Sequence, residues 1–318
     1  MRSIRLSSAA RHGFLAFALA AGSHAEAQEP ERPTFRARVA VVPITAVVRD
    51  SRSRVVRDLR REDFQVLEQG RPRRILEFSA NADGPVSIAV LFDTSGSMGL
   101  ASNLSKSKAV VAQLLDRLDP QRDEMAFFTF HKTLREEVPF TSDKGELRGA
   151  LEDVRPWGLT SLYDAVAETA KRLPQRGSTR SAIVVISDGV DTSSALSLQE
   201  VASLASAIDV PVYVVAVVSP LDHPSHPASV VPKKAGGGLV DLAEFTGGQV
   251  SFVSAYDPSA ALDILLTVMR HQYFLAIESS TAPGWYALEV KTKRRGLTVR
   301  ARRAYSAEAP AIPGEHQP

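Results

Sequence analysis

Hydrophobic positions along this chain follow two rhythms. From Phe35 to Phe78, and again from Gln272 to Ala301, they alternate with polar residues in short runs. Between Val86 and about Arg270, continuous apolar runs alternate with stretches of helical period. The outer parts predict strands over residues 39–42, 44–48, 64–67 and 74–78, the last two joined by the turn 68–72. They also predict strands over 272–278, 285–292 and 296–301. The middle predicts strands over 86–92, 123–130, 134–140, 180–187 and 212–218. Helices are predicted between them over 104–118, 146–154, 162–173 and 259–269. A further helix opens at the capping box Ser197-x-x-Glu200 and runs to Ile208.

This order implies an α/β fold: a doubly wound, mostly parallel sheet with helices on both faces. The link from Phe130 to Leu134 is too short for a crossover, so 134–140 is expected as an antiparallel edge strand. The N- and C-terminal strands are expected to pair into one small β domain, because neither group alone buries much. The expected organisation is a leader over 1–27, a β segment over 28–83, and the α/β domain over 84–270. A second β segment follows over 271–306, pairing with 35–78, and then a disordered tail over 307–318.

Composition adds little to the fold and something to the setting. Hydrophobic content of 44% and charged content of 23% are ordinary for a globular protein. Arg2, Arg5 and Arg11 precede a short apolar stretch from Phe14 to Ala21, and Ala25-Glu26-Ala27 offers small residues for cleavage. That reads as a secretory signal peptide cut near Ala27, which implies a periplasmic or secreted protein with no transmembrane segment. The whole chain has 38 Lys+Arg and 36 Asp+Glu; without residues 1–27, three arginines and one glutamate fewer, it has 35 of each. Such a balance does not argue for nucleic acid as a partner. Cysteine is absent, so there is no disulfide framework.

The candidate chemistry lies where the apolar runs end. Directly after the run 86–92 comes Asp93-Thr94-Ser95-Gly96-Ser97-Met98. One carboxylate and two hydroxyls stand on alternate residues, and hard oxygen donors of this kind suit Mg²⁺, Mn²⁺ or Ca²⁺. Thr160 opens a later helical pattern, and the buried run 180–187 ends in Asp188-Gly189. In an open parallel sheet, ligands bind beyond the carboxyl ends of the strands, so these groups can converge. The set Asp93, Ser95, Ser97, Thr160 and Asp188 carries two negative charges, which balance one divalent cation and leave a coordination position open. Read alone, Asp93, Ser95 and Ser97 equally fit an ordinary polar turn.

The set resembles the metal-ion-dependent adhesion site of von Willebrand factor type A domains: D-x-S-x-S, then a threonine, then an aspartate in an [ST]-D-G turn. All five positions are present in family order. The resemblance implies that Ser95, Ser97 and Thr160 bind the metal directly or nearly so, and that the aspartates act partly through water. It also implies that a partner protein's Asp or Glu supplies the last ligand. Asp164 and Asp191 are candidates for supporting the ligands from behind. The flanking segments 44–70, 273–277 and 295–302 resemble those of an exported bacterial subfamily first named from Acidobacteria.

Other features carry less. His223 and His226 sit in a proline-rich loop, and Gly236-Gly237-Gly238 reads as a flexible connector. The arginines between Arg49 and Arg74 are either solvated faces or a patch for acidic polymers. Met98 and Leu100 either contact a partner or pack under the loop. No G-x-S-x-G frames a serine, Ser95 replaces the second aspartate a phosphotransferase would need, and His131 and His271 look isolated. A non-enzymatic binding module is therefore expected. The alternatives are a structural module that binds through the basic β domain, or a metal-dependent hydrolase.

Overall fold

In the computed structural model, the described residues are 41–80, 83–99, 103–173, 180–187, 192–207, 209–217, 236–253 and 258–307. Four strands come first: β1 (Val41–Asp50), β2 (Phe64–Glu68), β3 (Arg71–Arg73) and β4 (Ile75–Ser79). Alternation begins with β5 (Val86–Asp93), α1 (Asn103–Arg117), β6 (Glu124–Phe130) and β7 (Leu134–Thr141). It continues through α2 (Lys144–Asp153), α3 (Leu162–Arg172), β8 (Arg180–Ser187), α4 (Leu198–Ala207) and β9 (Val212–Val217). The helix α5 (Gly236–Thr246), strand β10 (Val250–Val253) and helix α6 (Ser259–Arg270) complete it. The last strands are β11 (Tyr273–Glu278), β12 (Gly284–Thr292), β13 (Leu297–Ala301) and β14 (Ala304–Ala307).

Six strands form the central sheet in the order β10-β9-β8-β5-β6-β7. All pairings are parallel except β6 with β7, the expected antiparallel edge. Every residue of β5 is buried, because both faces of the sheet are covered. Ile88, Val90 and Phe92 pack with α1, α2 and α6; Ala89 and Leu91 pack with α3, α4 and α5. From β5 the chain first moves one way to β6 and β7, then returns to β8 on the other side of β5. The switch point of the sheet therefore lies between the carboxyl ends of β5 and β8.

The remaining strands make two antiparallel sheets, ordered β13-β1-β11-β4 and β14-β12-β2-β3. Chain-early and chain-late strands alternate in the first, and in the second they meet where β12 pairs with β2. Between them lies an apolar layer of Val42, Ile44, Ala46, Val48, Phe64 and Tyr273 with their neighbours. The odd face of β1 turns the other way, and Val47 joins the core on the α1 and α6 side. The join to the α/β part is polar. Arg302, 2% exposed, pairs with Asp209 at 3.3 Å, and Thr45 Oγ1 donates to the same carboxylate at 2.8 Å. Gly247, at φ +83°, lets the turn after α5 press on the Ala301–Arg302 backbone, where a Cβ would come within 2.9 Å.

Several local expectations change. Of residues 39–42 and 44–48, read as two strands, 39 and 40 lie outside the described residues, and 41–42 and 44–48 share one strand that runs through Pro43. This is possible because β13 pairs only from Ala46 onward, so the missing N–H faces an open edge, and the Pro43 carbonyl accepts from Arg302. The turn at Gln69-Gly70, both at positive φ, returns β2 onto β3. β4 then crosses to pair with β11 in the other sheet, not with β2. Gly236-Gly237-Gly238, read as a connector, begins the helix α5. β10 and β14 are strands the hydrophobic pattern did not reveal.

Candidate metal centre

At the switch point, three loops are laced together by short hydrogen bonds. Asp93 ends β5 and is fully buried. Its Oδ1 accepts from the Ser95 amide at 2.8 Å, and its Oδ2 accepts from Ser187 Oγ, the last residue of β8, at 2.6 Å. An ionised carboxylate so far from water is tolerable only with such donors. The chain then folds into a single 3-10 turn over Gly96–Gly99. Ser95 Oγ and Ser97 Oγ stand 3.0 Å apart, the first buried and the second exposed.

Thr160 arrives from the loop between α2 and α3. Gly158 accepts from the Gly96 amide at 2.9 Å, and the Trp157 amide donates to Thr94 O at 2.5 Å. These two bonds fasten the threonine loop to the serine loop. Gly158 has φ +92°, and a Cβ there would meet His131 Nδ1 at 3.3 Å. Only glycine fits that bend without strain. Thr160 itself is 6% exposed. Its carbonyl accepts from the amides of Thr192 (2.9 Å) and Ser193 (3.0 Å), and its amide donates to Thr192 Oγ1 at 3.1 Å. Ser161 Oγ and Ser193 Oγ lie 2.8 Å apart.

Asp188, Asp191 and Leu100 lie outside the described residues. On either side of the aspartates, Ser187 is bonded to Asp93 and Thr192 to Thr160. Asp164 turns its carboxylate to the next loop: Oδ2 accepts from the Ala195 amide at 2.8 Å and Oδ1 from the Leu196 amide at 3.0 Å. Both oxygens hold the loop that continues from β8. Met98 is fully buried in the core with Phe92 and α1, so of its two readings the structure gives packing and not partner contact. The 3-10 turn folds it inward while its neighbours Ser97 and Gly99 face solvent.

Two residues that sequence reasoning did not single out stand beside the site. Trp157 is 74% exposed and Leu159 is 59% exposed, three and one residues before Thr160. Their signal was available: two large apolar side chains in a stretch broken by Pro156 and Gly158, where neither helix nor strand could absorb them.

The donors suit a small hard cation. Hydroxyls beside a carboxylate are the hard oxygen donors that Mg²⁺, Mn²⁺ or Ca²⁺ would take. The two serine hydroxyls are hydrogen-bonded to each other. Among the described residues, no three His, Cys, Asp or Glu side chains cluster as a metal site. Nor, among the described residues, is any helix long and apolar enough to cross a membrane.

Comparison with known proteins agrees with this fold. Over 198 residues the chain is 26% identical to an uncharacterized protein of Borreliella burgdorferi, covering 60% of this chain and 53% of that one. The chain thus spans about half the length of that curated relative. Among solved structures, BatB from Bacteroides thetaiotaomicron is similar at 22% identity and TM-score 0.47, over 57% of this chain and 97% of that one. Proximal thread matrix protein 1 from the mussel byssus, solved with a zinc-occupied MIDAS motif, is similar at 17% identity and TM-score 0.48. That match covers 64% of this chain and 49% of the mussel protein. Residues 88–190, from β5 through the end of β8, match the family model described as von Willebrand factor type A domain, and this chain carries that fold.

Proposed function

We propose that this protein is an exported, metal-dependent protein-binding module. In this reading Asp93, Ser95, Ser97, Thr160 and Asp188 hold one divalent cation, Mg²⁺, with Mn²⁺ and Ca²⁺ as the other hard-ion choices. The observation that carries it is the pair of hydroxyls 3.0 Å apart next to a fully buried carboxylate at the sheet's switch point. A cation bound there would offer an open coordination position to a partner's Asp or Glu. The chain's own residues do the rest. Ser187 and the Ser95 amide fix the Asp93 carboxylate; Gly158 and Trp157 hold the threonine loop against the serines; Asp164 anchors the loop beyond β8. The leader-like residues 1–27 and the likeness to an exported bacterial subfamily support a periplasmic or secreted setting.

The test is capture from an envelope extract on immobilised protein, in Mg²⁺ and in EDTA, with Asp93→Ala beside it. A partner retained only by the intact protein in Mg²⁺ supports the reading. Capture indifferent to both metal and variant rejects it.

One observation favours a second reading, in which the ion only stiffens the loops. An open cleft of about 410 Å³ on the β sandwich is walled by Arg61, Arg73, Arg74 and Lys293, with Glu62 among them, over Phe64 and Ile75. Arg74→Glu with Lys293→Glu should abolish capture if that cleft binds, and leave it intact if the metal centre does.

A further inference from the structure

We infer that the partner's acidic ligand carries a large aliphatic or aromatic neighbour, which seats on Trp157 and Leu159. This deepens the proposed function and rests on Thr160 being a metal ligand.

Large side chains seldom stay exposed in pairs without a use. Trp157 and Leu159 are exposed at 74% and 59%, and both belong to the short loop that delivers Thr160. That loop is not loose. The Trp157 amide is bonded to Thr94 O, Gly158 is bonded to Gly96, and the Ser161 amide donates to His131 O at 2.7 Å. The Trp157 ring sits edge-on to the His131 ring at 5.5 Å. A held, exposed tryptophan has already lost most of its freedom, so contact with it costs little ordering. Tryptophan is also the residue most often found carrying binding energy at interfaces.

Among the described residues of the loops beside the site, charge has one sign. The described stretches 94–99, 131–133, 155–161 and 192–197 contain no Asp or Glu, and they contain Lys132 and Arg155. Lys132 is exposed and makes no side-chain ion pair among the described residues. Arg155 is exposed too, and among the described residues its guanidinium donates to the backbone carbonyls of Glu152 and Val154. The Asp164 carboxylate, on α3, is occupied by two amides. An apolar pair inside a basic rim, next to a site that would take a carboxylate, fits an acidic and apolar pair on an exposed segment of a partner protein. Lys132 and Arg155 would speed its approach, an effect that salt weakens.

The test pans a displayed library of random seven-residue peptides on the full chain in Mg²⁺, eluting with EDTA. A parallel panning uses Trp157→Ala with Leu159→Ala, a change on exposed side chains that should leave the fold intact by circular dichroism. The intact protein should enrich peptides bearing Asp or Glu beside Leu, Ile, Phe or Trp. The variant should keep the acidic enrichment and lose the apolar one, with selected peptides binding it roughly tenfold more weakly or worse. Acidic peptides with no apolar preference on the intact protein would overturn this inference and leave the metal reading standing. Enrichment without acidic residues, enrichment insensitive to EDTA, or no enrichment would overturn both.

Discussion

Ser187 Oγ donates to Asp93 Oδ2 at 2.6 Å, a bond between the last residues of β8 and β5. It ties together the two strand ends on either side of the sheet's switch point. Hydrogen bonds to charged groups contribute about 1.5–3 kcal/mol, and groups that orient a metal ligand typically change affinity 10–100-fold. Ser187→Ala should therefore lower stability by about 2 kcal/mol in urea denaturation. It should also weaken Mg²⁺ binding at least tenfold by calorimetry. A variant with unchanged stability would show that Asp93 does not depend on this donor.

Asp164 gives a different outcome. Its carboxylate holds the amides of Ala195 and Leu196. Asp164→Ala frees that loop, so Mg²⁺ affinity should fall while the melting temperature moves by only a few degrees, since the core is untouched. Equal affinity in the two proteins, measured by calorimetry, would make Asp164 irrelevant to the centre.

Gly158→Ala tests the bend that delivers Thr160. Alanine at φ +92°, with Cβ 3.3 Å from His131 Nδ1, should cost about 1–2 kcal/mol in chemical denaturation. No loss would mean that the loop relaxes freely and does not fix the threonine.

At the opposite end of the sheet, the buried Asp123 carboxylate accepts from Arg270 at 3.0 Å and from the Asp119 and Val86 amides. Burial alone would raise its pKa, but the bonds from Arg270 and the two amides outweigh burial and hold it below the ordinary carboxylate range. A carboxyl lowered in the folded state adds stability above its unfolded pKa, and that stability is lost as pH falls through the folded value. Arg270→Leu strands the buried carboxylate and should cost about 3–5 kcal/mol at pH 7. The gap to the intact protein should narrow on acidification in urea denaturation at stepped pH. A gap constant with pH would remove Asp123 from the account.

The central sheet was legible because β5 and β8 are long, mostly apolar runs and the three-residue link from β6 to β7 forbids a crossover. The capping box was equally plain: the Ser197 amide donates to Glu200 Oε2 at 2.7 Å, and the Glu200 amide returns to Ser197 Oγ at 3.3 Å. α5 was not legible, since three glycines argue against a helix on propensity. Burial of Leu239, Leu242 and Ala243 overrides that, and at Gly238 a Cβ would collide with the Tyr163 hydroxyl at 2.0 Å. β10 is four residues long at a sheet edge, too short for periodicity to register. In the site, spacing named the serines and Thr160 but could not say which neighbours face outward. Met98 turned in because a 3-10 turn carries it under the loop. Trp157 and Leu159 turned out because Pro156 and Gly158 keep their segment from forming a helix or strand.

Titration of Mg²⁺ into the full chain by calorimetry, beside Asp93→Ala and the isosteric Asp93→Asn, tests the central claim most directly. The account predicts one Mg²⁺ per chain for the intact protein. It predicts no measurable binding by either variant, with far-ultraviolet circular dichroism unchanged in at least the asparagine form. Binding of equal strength in all three, or none by the intact protein, would contradict it.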